Sequence, residues 1–137
     1  MFSLHPQLLN DSEEIGDLPL CRVLLANDAR YPWLILVPRR SDIREIYELT
    51  EMDQLQLFKE ASSLAKALAG HFSADKMNVA ALGNQVPQLH VHIVVRYVND
   101  DAWPGPIWGK GVATSYEESQ LLSRKQALKS LLSDLSV

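Results

Sequence analysis

The run Gln88-Leu-His-Val-His-Ile-Val94 constrains this chain more than any other feature. Side chains of a β-strand alternate between its two faces. Leu89, Val91 and Ile93 therefore share one face, and Gln88, His90 and His92 share the other. Next-but-one residues of a strand lie roughly 7 Å apart, so the two imidazoles stand in a row. The apolar face suits packing against a helix. The polar face is costly to bury without partners, which makes it either a solvated surface or a ligand site.

The rest of the chain supplies partners for that strand. Residues 20–26 and 33–37 read as strands, the second closed by Pro38, with a turn at Asn27-Asp28-Ala29-Arg30 between them. This pattern predicts an antiparallel hairpin. Residues 43–49 suit a short helix. Thr50 then suits an N-cap, with Glu51 and Asp53 in the first turn of a long helix. Leu57, Ala61, Leu64, Ala65 and Leu68 fall at helical spacing with Phe58 beside them, and Gly70 suits the helix end. Residues 77–81 and 88–98 read as further strands around a loop at 82–87. Residues 100–109 carry two prolines and two glycines and exclude regular structure. Ser115 and Glu118 match a capping box ahead of a last helix striped by Leu121, Leu128, Leu132 and Leu135. Residues 1–17 read as a loose lead-in with one short helical turn. The pattern predicts one α+β domain over 1–137, with its core at 20–98 and a loop and helix at 99–137. Its sheet is mostly antiparallel, of about five strands, beside one long central helix and a C-terminal helix.

Composition narrows the function classes. Thirteen Lys and Arg against seventeen Asp and Glu give a net charge of −4. That balance argues against a protein holding nucleic acid through its phosphates. The single cysteine, Cys21, cannot form an internal disulfide and reads as a small buried residue. No apolar run approaches the ~20 residues of a membrane span. The N-terminus lacks the pattern of a signal peptide, which implies a cytoplasmic protein. Two histidines can begin a metal site, but stable sites usually take three or four ligands, and His5 and His71 lie far off in sequence, so no metal is expected. No local motif supports a Ser-His-Asp triad.

Several further segments join the histidine strand in one resemblance. Asn27-Asp-Ala-Arg-Tyr-Pro-Trp33, Leu82-Gly-Asn84, Gln88-Leu-His-Val-His92 and Trp103-Pro-Gly-Pro-Ile-Trp-Gly109 together resemble the histidine triad (HIT) family, in particular a bacterial branch described as hydrolases. The family motif alternates three histidines with apolar residues. Here Gln88 stands in the first position, His90 in the central one and His92 in the last. The resemblance covers about residues 20–98. It implies the HIT-like fold, a homodimer, a small-molecule nucleotide substrate and no cofactor.

The family cuts nucleoside phosphates at the α-phosphorus through a nucleotidyl-histidine. The resemblance therefore implies that His90 is the nucleophile, with His92 and Gln88 holding the phosphate. A neutral imidazole suits attack near pH 7, since its ordinary pKa is about 6.5. Asn84 and Gln85 are implied phosphate donors, and Asn27 or Asp28 the ribose contact. Arg96, with Arg39 and Arg40, is a candidate for phosphate attraction. Leu25, Leu34 and Ile35 are candidates for a base pocket. Trp103 and Trp108 either shape the substrate site or anchor their loop. Expected substrates are nucleoside phosphoramidates or dinucleoside polyphosphates. The alternatives are a nucleotide-binding protein without significant catalysis, a nucleotidyltransferase and a structural dimer module.

Overall fold

The computed structural model describes residues 1–137. The chain runs α1 (Pro6–Asn10), β1 (Ser12–Asp17), β2 (Cys21–Ala26), β3 (Trp33–Pro38), α2 (Glu51–Phe72), β4 (Lys76–Ala80), β5 (Val91–Arg96) and α3 (Glu118–Ser133), with a 3-10 turn at Ile46–Glu48 before α2. Five strands form one sheet in the order β1-β2-β3-β5-β4. Every neighbouring pair is antiparallel. The expected α+β architecture is therefore the one observed, with its long central helix and its C-terminal helix. None of its helices is long and apolar enough to cross a membrane.

The sheet has two unlike faces because its strands alternate. Val23, Leu25, Leu34, Leu36, Val91, Ile93 and Val95 lie on one face and pack with Leu57, Leu64 and Leu68 of α2 and Leu128 of α3. Leu24, Ala26, Ile35 and Val37 lie on the other face, under Leu4 and Leu8 of the N-terminal segment. Leu25 and Leu34 are thus core residues, while Ile35 sits opposite His92 on the histidine face.

Several boundaries differ from expectation, among them β5, which spans 91–96 within the expected 88–98, and the short helix expected over 43–49, which is a 3-10 turn at Ile46–Glu48. Residues 12–17 form edge strand β1 rather than loose chain, with a register break between Glu14 and Gly16. Only Ser12 and Ile15 of that strand are buried, so its acidic sequence hides the alternation. Helix α2 runs past Gly70 to Phe72 and ends at Ser73, which adopts a left-handed conformation (φ 51°). The α3 capping box uses Glu117 and Gln120 instead of Ser115 and Glu118. Thr50 caps α2 as its sequence predicts, accepting a hydrogen bond from the Asp53 N–H. Phe58, in contrast, is 74% exposed on the outer side of α2.

Buried Glu60 ties α2 to the sheet. Its two carboxylate oxygens accept the backbone N–H groups of Leu20 and Cys21 at 2.8 and 2.9 Å, and Gln56 donates to it at 2.8 Å. Charge-assisted bonds of this kind replace the water that a carboxylate loses on burial. Cys21 is wholly buried, and burial together with the Glu60 carboxylate raises its thiol pKa far above the ordinary value. It is a packing residue, as its sequence context suggests.

Candidate active site

Strand β5 begins only at Val91, so Gln88 and His90 precede the ladder instead of extending it. The chain reaches this point from a loop, and Leu89 donates its N–H to Ile43 O, outside the sheet. His90 and His92 nevertheless meet, with ring centroids 4.9 Å apart and planes at 76°. Each residue is 5% exposed.

Hydrogen bonding distinguishes their nitrogens. Nδ1 of His90 lies 2.6 Å from the Gln88 carbonyl oxygen. A carbonyl only accepts, so Nδ1 carries the proton and Nε2 keeps its lone pair. His92 has the opposite arrangement. The Trp33 indole N–H donates to its Nδ1 at 3.0 Å, and its Nε2 faces the Leu82 carbonyl at 3.2 Å. His92 is therefore the Nε2–H tautomer. Trp33 and Trp108 flank its ring at 5.7 and 5.2 Å. Burial, reinforced by the neighbouring His90, lowers its pKa to about 4. Near neutral pH it is uncharged.

Gly83 allows the preceding loop to approach. A Cβ there would lie 2.8 Å from Val86 O and 3.4 Å from Cε1 of His90. Asn84 and Gln85 follow on the surface and, with His90, line a cavity of about 360 Å³. The structure thus brings together five of the expected residues: His90, His92, Asn84, Gln85 and, through its contact with His92, Trp108.

Others have their side chains engaged elsewhere. The Gln88 side chain was expected on the phosphate. Instead its Oε1 accepts the His5 backbone N–H, and its Nε2 donates to Ser3 O, both at 2.8 Å. The N-terminal segment packs over this face and captures the amide. Asp28 is 3% exposed and salt-bridged to Arg30 at 2.9 Å. Burial would raise its pKa, but hydrogen bonds from the Arg30 side chain and the Arg30 and Thr114 backbone prevail and lower it. Asn27 beside it is exposed, and its side chain has no hydrogen-bond partner, so it is the amide open to a ligand at this turn.

Arg96, expected to attract phosphate, is 2% exposed and locked inward. It pairs with Asp100 at 2.8 Å and also donates to Asn78 and the Gly105 carbonyl. Burial raises the Asp100 pKa, yet Arg96 and nearby backbone N–H groups bring it down to about 2. Trp103 lies against the Arg96 guanidinium at 5.6 Å and anchors its loop. Trp108 reaches the histidines, and its indole N–H is buried without an acceptor. Arg39 donates to the Leu18 and Leu20 carbonyls, and Arg40 pairs with Asp53.

Among the cavity residues that the sequence did not single out are Arg44, Glu45 and Tyr47. Nothing local distinguishes them. They reach His90 only because the segment after β3 folds back beside the loop before β5. No group of three or more His, Cys, Asp or Glu side chains converges on a possible metal site.

The fold and site are those of an antiparallel α+β protein with two buried histidines in contact on one sheet face. Residues 7–99 match the family model described as "HIT domain". The chain belongs to the HIT domain family. A histidine triad protein from Marinobacter aquaeolei VT8 has 53% identity, covers 99% of each chain and superposes with a TM-score of 0.96. Another from Bradyrhizobium japonicum has 47% identity, covers 96% of this chain and 98% of its own, and gives 0.93. A bis(5'-adenosyl)-triphosphatase of Saccharomyces cerevisiae is 30% identical over 69 residues, 47% of this chain. The match spans about a third of that relative's length, 34%.

Proposed function

We propose that this protein is a nucleotide hydrolase acting at the α-phosphorus of nucleoside phosphoramidates or dinucleoside polyphosphates. The observation that carries the reading is the Nδ1–H of His90 bound to the Gln88 carbonyl, which leaves Nε2 as the nucleophile. Its lone pair forms a P–N bond while the bond from phosphorus to the leaving group breaks with its electron pair, an amine leaving group taking a proton from solvent. Water then attacks phosphorus and loses a proton to solvent as the P–N bond breaks with its pair returning to Nε2, which leaves His90 neutral and releases the nucleoside monophosphate. The Nε2–H of His92, held only by the 3.2 Å bond to Leu82, is the donor that a phosphate oxygen takes over. Asn84 and Gln85 donate from the loop, and Asn27 contacts the ribose. The named activity of the yeast relative supports a dinucleoside polyphosphate substrate.

The test follows AMP release from adenosine phosphoramidate and diadenosine triphosphate by wild type and His90→Ala. Release by wild type alone is expected. Equal release by the variant overturns the assignment. The second reading, nucleotide binding without significant catalysis, draws on the Gln88 amide being tied to Ser3 and His5. Mass spectrometry that finds a nucleotidyl adduct on His90 excludes it.

The working unit in this reading is a homodimer. Met52, Leu55 and Phe58 are 81%, 73% and 74% exposed along α2, beside edge strand β4 with Val79 at 52%. An open strand edge next to an apolar helix face favours a second copy. Light scattering that shows a monomer at micromolar concentration overturns it.

A further inference from the structure

The cavity beside His90 extends away from the nucleoside end of the site. Asn27 follows β2 at the Trp33 end of β3, because Leu25 pairs with Leu34 in the hairpin. Arg44 and Tyr47 come after Pro38, beyond the opposite end of β3. β5 runs antiparallel to β3, with His92 opposite Ile35 and Val94 opposite Trp33. His90, two residues before His92, therefore lies toward the Pro38 end. A nucleotide with its ribose at Asn27 and its phosphorus at His90 must direct its leaving group into the space that Arg44 and Tyr47 line.

The walls of that space carry a definite chemistry. Arg44 is exposed, and its guanidinium forms no ion pair, unlike those of Arg22, Arg30, Arg39, Arg40 and Arg96. Glu45 and Glu48 stand beside it; one oxygen of the Glu48 carboxylate accepts the backbone N–H groups of Arg44 and Glu45 at 2.9 Å, and Glu45 itself lines the cavity. Arg44 is the only Lys or Arg side chain of the cavity wall. Tyr47 is 79% exposed on the same turn, a flat ring facing water. The amides of Asn84 and Gln85 line the cavity with them. An unpaired guanidinium binds phosphate oxygens, and an exposed phenol ring stacks on a planar group.

We infer that Arg44 and Tyr47 form a leaving-group subsite for the second nucleotide of a dinucleoside polyphosphate. Arg44 binds its phosphates and Tyr47 its base. The inference rests on the hydrolase reading above for the direction of the substrate. It makes the two substrate classes unequal, since the ammonia released from adenosine phosphoramidate reaches neither residue.

The experiment compares wild type, Arg44→Gln and Tyr47→Ala on diadenosine triphosphate and on adenosine phosphoramidate. Arg44→Gln is expected to lower kcat/KM for the dinucleotide about tenfold, as loss of a charge-assisted contact does, and to leave the phosphoramidate within about twofold. Tyr47→Ala follows the same pattern with a smaller loss. Equal losses on both substrates, or none on either, overturn the subsite. A binding arm separates this outcome from failure of the hydrolase reading. Calorimetry on His90→Ala compares AMP with diadenosine triphosphate, with and without Arg44→Gln. An affinity advantage of the dinucleotide that Arg44→Gln removes supports the subsite even where wild type releases no AMP. No advantage overturns it.

Discussion

The indole N–H of Trp33 donates to Nδ1 of His92 across 3.0 Å and determines which nitrogen of that imidazole holds a proton. Trp33→Phe keeps the ring beside His92 and removes the donor. His92 then samples both tautomers, and its hold on Leu82 and on substrate weakens. AMP release is expected to fall about tenfold, as for loss of one oriented hydrogen bond. Nitrogen NMR of the imidazoles checks the cause, because the Nδ1 resonance of His92 moves only if Trp33 was its donor.

His92 also links stability to pH. Its pKa falls from the ordinary value to about 4 on folding, chiefly through burial. Between about pH 6.5 and pH 4 the unfolded chain therefore binds a proton that the folded one refuses. The stabilisation is complete above pH 6.5 and is lost as pH falls toward 4. Urea denaturation at pH 7.0 and 4.5 should differ by about 2 kcal/mol more in wild type than in His92→Asn. An equal pH response in the two proteins would refute this.

Asp100 and Arg96 form the most buried ion pair of the molecule, with side chains 4% and 2% exposed. Asp100→Ala leaves the guanidinium buried with one anionic partner fewer. The expected cost is about 3 kcal/mol, read as a lower urea midpoint. The nucleotide KM of the folded fraction should stay unchanged. A raised KM at unchanged stability would restore Arg96 as a phosphate ligand.

Gly83 has no room for a side chain. In Gly83→Ala the new Cβ presses on Val86 O and approaches His90. If His90 attacks as proposed, displacing it slightly is expensive for catalysis, and kcat should drop by about tenfold or more, with little change in melting temperature. Parallel activity and thermal-melt assays test it.

Gln88→Ala removes two hydrogen bonds to the N-terminal segment, each worth about 1 kcal/mol. The segment should loosen while the sheet stays intact. Hydrogen exchange at the His5 and Leu8 amides should accelerate about tenfold or more, with β5 amides unaffected. Unchanged exchange at His5 would show that Leu4 and Leu8 hold the segment without Gln88.

Local pattern accounts for what was legible in the sequence. Alternation from 88 to 94 put His90 and His92 on one face and Val91 and Ile93 against α2, and both features hold in the structure. Thr50 and the stripe from Leu57 to Leu68 located the long helix because capping and burial periodicity are local properties. The fates of charged groups were not legible. Arg96 and Arg44 look alike in a sequence. One is buried because Asp100, Asn78 and the Gly105 carbonyl converge on it, and the other is exposed with no ion pair, its neighbour Glu48 accepting backbone N–H groups instead. Gln88 went astray for a similar reason, since Ser3 and His5 lie more than eighty residues away in the chain.

Gln88 serves two masters at once. Its carbonyl orients the His90 ring, and its side chain grips the backbone at Ser3 and His5. Tension applied ahead of residue 3 is thereby transmitted across a single residue to the His90 ring. An affinity tag fused at the front of the chain would tug on the reaction centre, whereas one placed beyond α3 would leave it at rest.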